Sequence, residues 1–204
     1  MGIAISYRGR LKSVDLIESF CEELIKIAEL MGWDYNVLDE DFSKPTDARI
    51  DATENRCEIV GHLAIKGINL NIHEKCSSLS FFFDSDGILR DLLQMVEPRV
   101  VEGDGLPYTF LKTQSAPLEV HMTVVKLLRF LGSKYFETFE VSDEGQYWET
   151  GDAALLKEKM DFLAGKMDIV AHALENSHLK SEPGDTTLDT IAKVDKILRE
   201  LAES

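Results

Sequence analysis

The sequence predicts an α+β protein: a mostly antiparallel sheet with helices packed on one face, plus a C-terminal helical hairpin. Three observations predict it. First, apolar residues alternate twice between Ile59 and Gly87. Ile68, Leu70 and Ile72 fall on one side, opposite Asn69, Asn71 and His73; Leu79, Phe81 and Phe83 then repeat the pattern opposite Ser78, Ser80 and Phe82. A period of two marks strands with one buried face. Second, Val14 to Met31 and Leu118 to Leu131 keep the spacing of one helical face. Third, the last quarter of the chain changes to a heptad pattern.

The elements follow in order. Ile3, Ile5, Tyr7 and Leu11 share one parity and Arg8, Arg10 and Lys12 the other, so residues 3 to 11 form a first strand. Ser13 is a helix N-cap and Asp15 sits in the first turn. Phe20, Cys21, Leu24 and Ala28 lie on the apolar stripe of the helix, and Gly32 stops it. Trp33, Tyr35 and Val37 alternate as a second strand. The polar stretch 39–56 reads as a loop. Lys66-Gly67, Glu74 to Ser78 and Asp84 to Gly87 break the central run into a meander. Ile88 to Val96 fits a strand or a short helix. Tyr108 to Gln114 reads as a strand and Pro117 opens a second helix. Phe136 to Val141 forms another strand, Asp143-Glu144-Gly145 turns it, and Tyr147-Trp148 begin its return.

Strand, helix, strand and acidic turn recur at an offset of 104, the separation of Asp39 and Asp143. This suggests two related β-α-β modules sharing one sheet, a pseudo-repeat of 1–100 and 105–150. The domain 1–150 then gives way to a hairpin over 151–204. Its first helix starts after Asp152, with Leu156, Met160, Leu163, Met167, Val170 and Leu174 as a heptad seam. Leu188, Ile191, Val194, Leu198 and Leu201 stripe the second. The hairpin packs on the sheet or mediates self-association, as in a homodimer.

The 204 residues carry a formal charge of −15, with 44% hydrophobic residues. That content fills a core without metal or disulfides. The acidic field argues against nucleic acid and for solubility or a basic protein partner. Three widely spaced cysteines, the absence of an apolar leader and apolar runs too short to span a membrane point to a cytoplasmic protein with no membrane association.

Several clusters are candidates for chemistry. FFFDSDG, Phe81 to Gly87, places Asp-x-Asp-Gly after an apolar strand. It resembles the first motif of the haloacid-dehalogenase-type phosphohydrolases. The resemblance covers seven residues and implies a parallel Rossmann-like sheet, Mg²⁺, Asp84 as nucleophile and Asp86 as general acid. A plain turn explains the same residues, since Asp, Ser and Gly favour turns on steric grounds. His73-x-x-Cys76 is one step of a zinc pattern without a second. Arg8, Arg10 and Lys12 run into a helix N-terminus, which suits a small anion or nucleotide phosphate; cross-strand pairing with the acidic turns at Asp39 or Asp143 is the rival. Ser142 to Asp152 is rich in recognition residues. Tyr147 and Trp148 form a contact patch if Trp148 faces outward, and join the hairpin to the sheet if it faces inward. None of these completes a catalytic set or requires a cofactor. The expected function is therefore binding or self-association by a non-catalytic protein.

Overall fold

The computed structural model describes residues 3–53, 56–96 and 107–176. The chain divides into two compact units, Met1–Leu156 and Lys157–Ser204. The first unit is α+β with antiparallel strand pairing throughout. In order it contains β1 (Ala4–Leu11), a 3-10 turn (Val14–Leu16), α1 (Ile17–Met31), β2 (Asp34–Asp39), β3 (Arg49–Thr53) and β4 (Arg56–Val60). There follow β5 (Lys66–Asn71), β6 (Leu79–Phe83), β7 (Leu89–Arg90), α2 (Leu92–Val96), β8 (Thr109–Lys112), α3 (Leu118–Tyr135), β9 (Phe136–Asp143) and α4 (Tyr147–Thr150). A last helix, α5 (Ala153–Asn176), runs across the boundary into the second unit.

Among the described residues the expected single sheet is three. β2-β5-β6-β7 forms one, β8-β1-β9 another, and β3-β4 a separate ribbon. The two larger sheets meet where β8 stops short of the end of β1. There Leu11 N–H donates to Gly87 O at 2.9 Å and Arg10 bridges Ile88. The Tyr7 hydroxyl adds a second join, donating to Ser80 O at 2.8 Å and accepting from Ser80 N–H at 3.2 Å. A fully buried phenol thus satisfies backbone groups of β6 that no strand reaches at that point. Burial also pushes the Tyr7 phenol above its ordinary pKa.

The predicted alternation is what the core uses. Ile68, Leu70, Ile72, Leu79, Phe81 and Phe83 are all buried. They share one cluster with Phe20 and Leu24 of α1 and with Val124, Leu128 and Leu131 of α3. Phe20 is its hub: its ring lies edge-on to Phe81, Phe83, Tyr135 and Phe136, at 5.1 to 6.0 Å between centroids. Such edge-to-face contacts add to plain area burial. Phe82 belongs to a second, smaller cluster with Leu63 and Ile65, against which Ile59, Leu92 and Met95 pack.

Local expectations fail where a neighbour decides. The stretch 39–56, expected as a loop, contains β3 and the start of β4; Ile50 faces Ile59 across the ribbon. Tyr147 and Trp148 do not return as a strand but open the single turn of α4. Ile88 to Val96 is both things, a short strand and then a short helix. Gly67 lies inside β5 rather than before it. Met31, expected on the buried stripe, is exposed. Strand, helix and strand do recur as β1-α1-β2 and β8-α3-β9. Their pairing differs, since β8 and β9 flank β1 while β2 pairs with β5.

In α5, Leu156 and Met160 are buried and Leu163 is half-buried, while Lys157, Glu158 and Asp161 are exposed. The side chains of Met167, Val170 and Leu174, and the whole second helix of the expected hairpin, lie outside the described residues. No helix among the described residues is long and apolar enough to cross a membrane.

Candidate functional site

Asp84 ends β6 at a turn, with antiparallel neighbours on both sides of that strand. The parallel sheet implied by the phosphohydrolase resemblance is therefore not the one this chain forms. Both Asp84 oxygens are occupied. Oδ1 accepts from Asp86 N–H at 2.9 Å and Ile88 N–H at 3.0 Å, and Oδ2 accepts from Arg90 Nε at 2.7 Å. This is the bonding of an Asx-type turn closed by a salt bridge. Asp86 is exposed beside it. Asp84→Asn is expected to cost ~1 kcal/mol in urea unfolding, from loss of the charged partner of Arg90, and to leave turnover of a generic phosphate ester at background. A phosphatase rate above background that the substitution abolishes would restore the nucleophile.

His73 and Cys76 close another turn. Cys76 N–H donates to His73 O, and His73 Nδ1 accepts from Lys75 N–H at 3.1 Å. Burial pushes the Cys76 thiol above its ordinary value. Among the described residues no three or more His, Cys, Asp or Glu side chains converge as a metal site would require.

Arg8 and Arg10 of β1 and Lys12 just beyond it part company. Arg8 donates from Nε and Nη2 to Glu140 of β9 at 2.9 and 2.6 Å and lies over the Tyr108 ring. Lys12 donates to the carbonyls of Ser133 and Lys134, which closes the C-terminal end of α3. Arg10 is exposed beside the Ile88 bridge. Cross-strand pairing thus engages Arg8, though its partner is Glu140 rather than either acidic turn.

Tyr147 and Trp148 are half-buried and packed on the core. Arg129 of α3 stacks on the Trp148 ring, 4.8 Å from its centroid, and donates to Trp148 O. Trp148 thereby fastens α4 to α3.

That fastening leads to a buried network. Asp143, at the end of β9, accepts from Trp148 N–H at 2.9 Å, Gly145 N–H at 2.7 Å and His121 Nε2 at 3.1 Å. His121 Nδ1 lies 2.8 Å from Thr113 Oγ1. Nε2 thus faces the carboxylate, and Nδ1 shares a hydrogen bond with the threonine hydroxyl. Thr, His and Asp in a row suggest nucleophilic catalysis. Burial argues otherwise, since Thr113 and His121 are fully enclosed and Asp143 nearly so. A hydroxyl that no substrate can reach is a structural hydrogen bond. Burial alone would raise the Asp143 pKa. The hydrogen bond and charge of His121, with the two backbone donors, outweigh it and hold the carboxyl below its ordinary value. Sequence reasoning missed this trio because its members are 8 and 22 residues apart, in the loop after β8, in α3 and at the end of β9. Its one local signal was His121 on the buried stripe of α3.

A groove of about 690 Å³ lies open between α1 and β2. Ile17, Cys21, Ile25, Val37 and Phe42 supply its apolar lining. Asp15, Glu18, Glu22 and Asp39 line it with exposed carboxylates, against one cation, Lys66, which pairs with Asp39 at 2.6 Å. Burial, followed by the nearby charge of Asp39, pushes the Cys21 thiol up to about 12, so it stays protonated and unreactive at neutral pH. The groove has a simple origin. Gly32, left-handed at φ 68°, ends α1 and lets Trp33 N–H donate back to Ala28 O. The chain reverses there and brings β2 back along the helix. β2 lies at the rim of its sheet, and all of its residues except Leu38 are exposed. No family model, no curated protein and no solved structure matches the chain.

Proposed function

We propose that the protein is a non-catalytic binding protein whose groove between α1 and β2 receives a basic segment of a protein partner. The observation that supports this reading is the combination of lining types: an apolar floor beside Asp15, Glu18, Glu22 and Asp39 in a chain of net charge −15. Apolar contact supplies affinity, and a field of one sign selects and steers a partner of the other. Glu18 and Glu22, one helical turn apart, both present carboxylates to that partner.

A short fluorescent peptide alternating Val and Lys tests the reading by anisotropy. Saturable binding is expected, weakening as salt rises. The Val/Glu counterpart is expected not to bind. The double substitution Glu18→Lys, Glu22→Lys is expected to weaken the Val/Lys peptide by about tenfold or more, with unchanged circular dichroism because both positions are exposed. Absence of binding, or equal binding by the double variant, overturns the reading. Self-association is a competing use of the same surface. It would show as a mass that rises with concentration in sedimentation, without added peptide.

A further inference from the structure

The outer edge of β2 is a row of backbone donors and acceptors with no strand beside it among the described residues. Which residues face outward follows from one bond. Glu40 N–H donates to Ile65 O at 3.1 Å, in the register that pairs Asp39 with Lys66 and Val37 with Ile68. Alternation in an antiparallel ladder then turns the backbone of Leu38, Asn36 and Asp34 toward β5. It turns the N–H and C=O of Tyr35, Val37 and Asp39 outward. The side chains of these same three residues share the sheet face of their partners Leu70, Ile68 and Lys66, the face that α1 covers. Tyr35 and Val37 are each 40% exposed there. β2 contains no proline and no lysine, its register with β5 is unbroken, and its only charges are Asp34 and Asp39 at its two ends, of the sign that a basic segment meets.

We infer that the basic segment joins the protein as an added β-strand along the outer edge of β2. This rests on the groove reading above and specifies the form of the partner. The added backbone bonds to Tyr35, Val37 and Asp39. Every second side chain of the segment then falls on the groove face. Apolar residues there extend the surface begun by Tyr35 and Val37, and cations among them reach Glu18 and Glu22. The partner sequence is thus an extended stretch mixing β-branched residues with lysine or arginine. A purely cationic coil does not meet these requirements.

Amide hydrogen exchange with and without the Val/Lys peptide reads the geometry directly. The amides of Tyr35, Val37 and Asp39 are expected to slow, while those of Asn36 and Leu38, already bonded to β5, stay unchanged. Val37→Pro removes one outward donor at a rim position where proline leaves the ladder intact. It is expected to weaken the peptide by about tenfold or more, and Val37→Thr is expected to bind as the parent does. A Val/Lys peptide N-methylated at alternate residues tests the same bonds without altering the protein and is expected to lose binding. If the plain peptide binds but the methylated peptide and Val37→Pro bind equally well, strand addition is overturned and the groove reading stands. Should the plain peptide fail to bind at all, the groove reading itself falls. If the same three amides are protected by raised protein concentration alone, a second copy occupies the edge and the basic-partner inference is overturned.

Discussion

Asp143→Ala is expected to lower the unfolding free energy by roughly 3 kcal/mol or more, because three buried donors lose one acceptor at about 1–3 kcal/mol each. The loss has two parts. Trp148 N–H, Gly145 N–H and His121 Nε2 each lose an acceptor. His121, fully buried, is then left with a donor that water cannot reach. α4 should detach first, since Trp148 N–H is tied to this carboxylate. Urea denaturation followed by tryptophan fluorescence measures both. Asp143→Asn retains one acceptor oxygen and should fall between the parent and the alanine variant. The pH dependence follows from the direction of the shift. The folded carboxyl titrates below its ordinary value of 3.8. Its contribution is therefore complete above that value and is lost as the pH falls from it through the folded pKa. The asparagine variant should show a flatter stability profile in that acid window and an unaltered one near neutrality. A loss below about 1 kcal/mol for Asp143→Ala would mean that the network is incidental.

Gly67→Ala is expected to be at least as damaging, above roughly 4 kcal/mol. Gly67 has φ 155°, and a Cβ there would lie 1.9 Å from Phe81 O and 2.8 Å from Phe82 Cα. Both obstructing atoms are backbone of the neighbouring strand, so no side-chain rotation relieves the contact. β5 and β6 would have to separate at the register Gly67–Phe82, which places Phe81 and Phe83 in the core. The cost should appear as a lost near-ultraviolet signal and a lowered urea midpoint. Gly32→Ala supplies the comparison. Gly32 is left-handed, yet nothing lies within 4 Å of its would-be Cβ. Only the conformational penalty applies there, about 1 kcal/mol. Equal losses at the two positions would refute the argument from close backbone approach.

The elements legible in the sequence are those whose signal is local. Ile68, Leu70 and Ile72 alternate because one face of a strand is buried, and the structure buries all three. Phe20, Cys21, Leu24 and Ala28 recur at helical spacing for the corresponding reason. The β3-β4 ribbon left a weaker mark. β3 is mostly polar, β4 is only five residues long, and the apolar pair Ile50–Ile59 is visible only once the hairpin has closed. Tyr147 and Trp148 have strand-forming side chains, but Asp143 receives the Trp148 amide and Gln146 adopts φ 61°, so the chain turns into α4. Tertiary hydrogen bonding here overrides a weak local preference.

The candidate site was less legible than the fold. Asp84 was readable as a turn residue, because an aspartate bonding amides two and four residues on is a local device. The partner of Arg8 was not, since Glu140 lies 132 residues away. The groove needs the path of β2 beside α1, and no spacing in the sequence encodes it.

By itself, the sequence determined the class of the protein: antiparallel strands and amphipathic helices around one main core, in a strongly acidic chain. Periodicity and charge are properties of the chain alone, so they survive any arrangement of its parts. Only the tertiary structure decided which strand stands at the rim, which carboxylates share a groove and which histidine is sealed away. Those depend on contacts between residues far apart in the chain, where backbone groups left unpaired by one element must be met by another or by solvent.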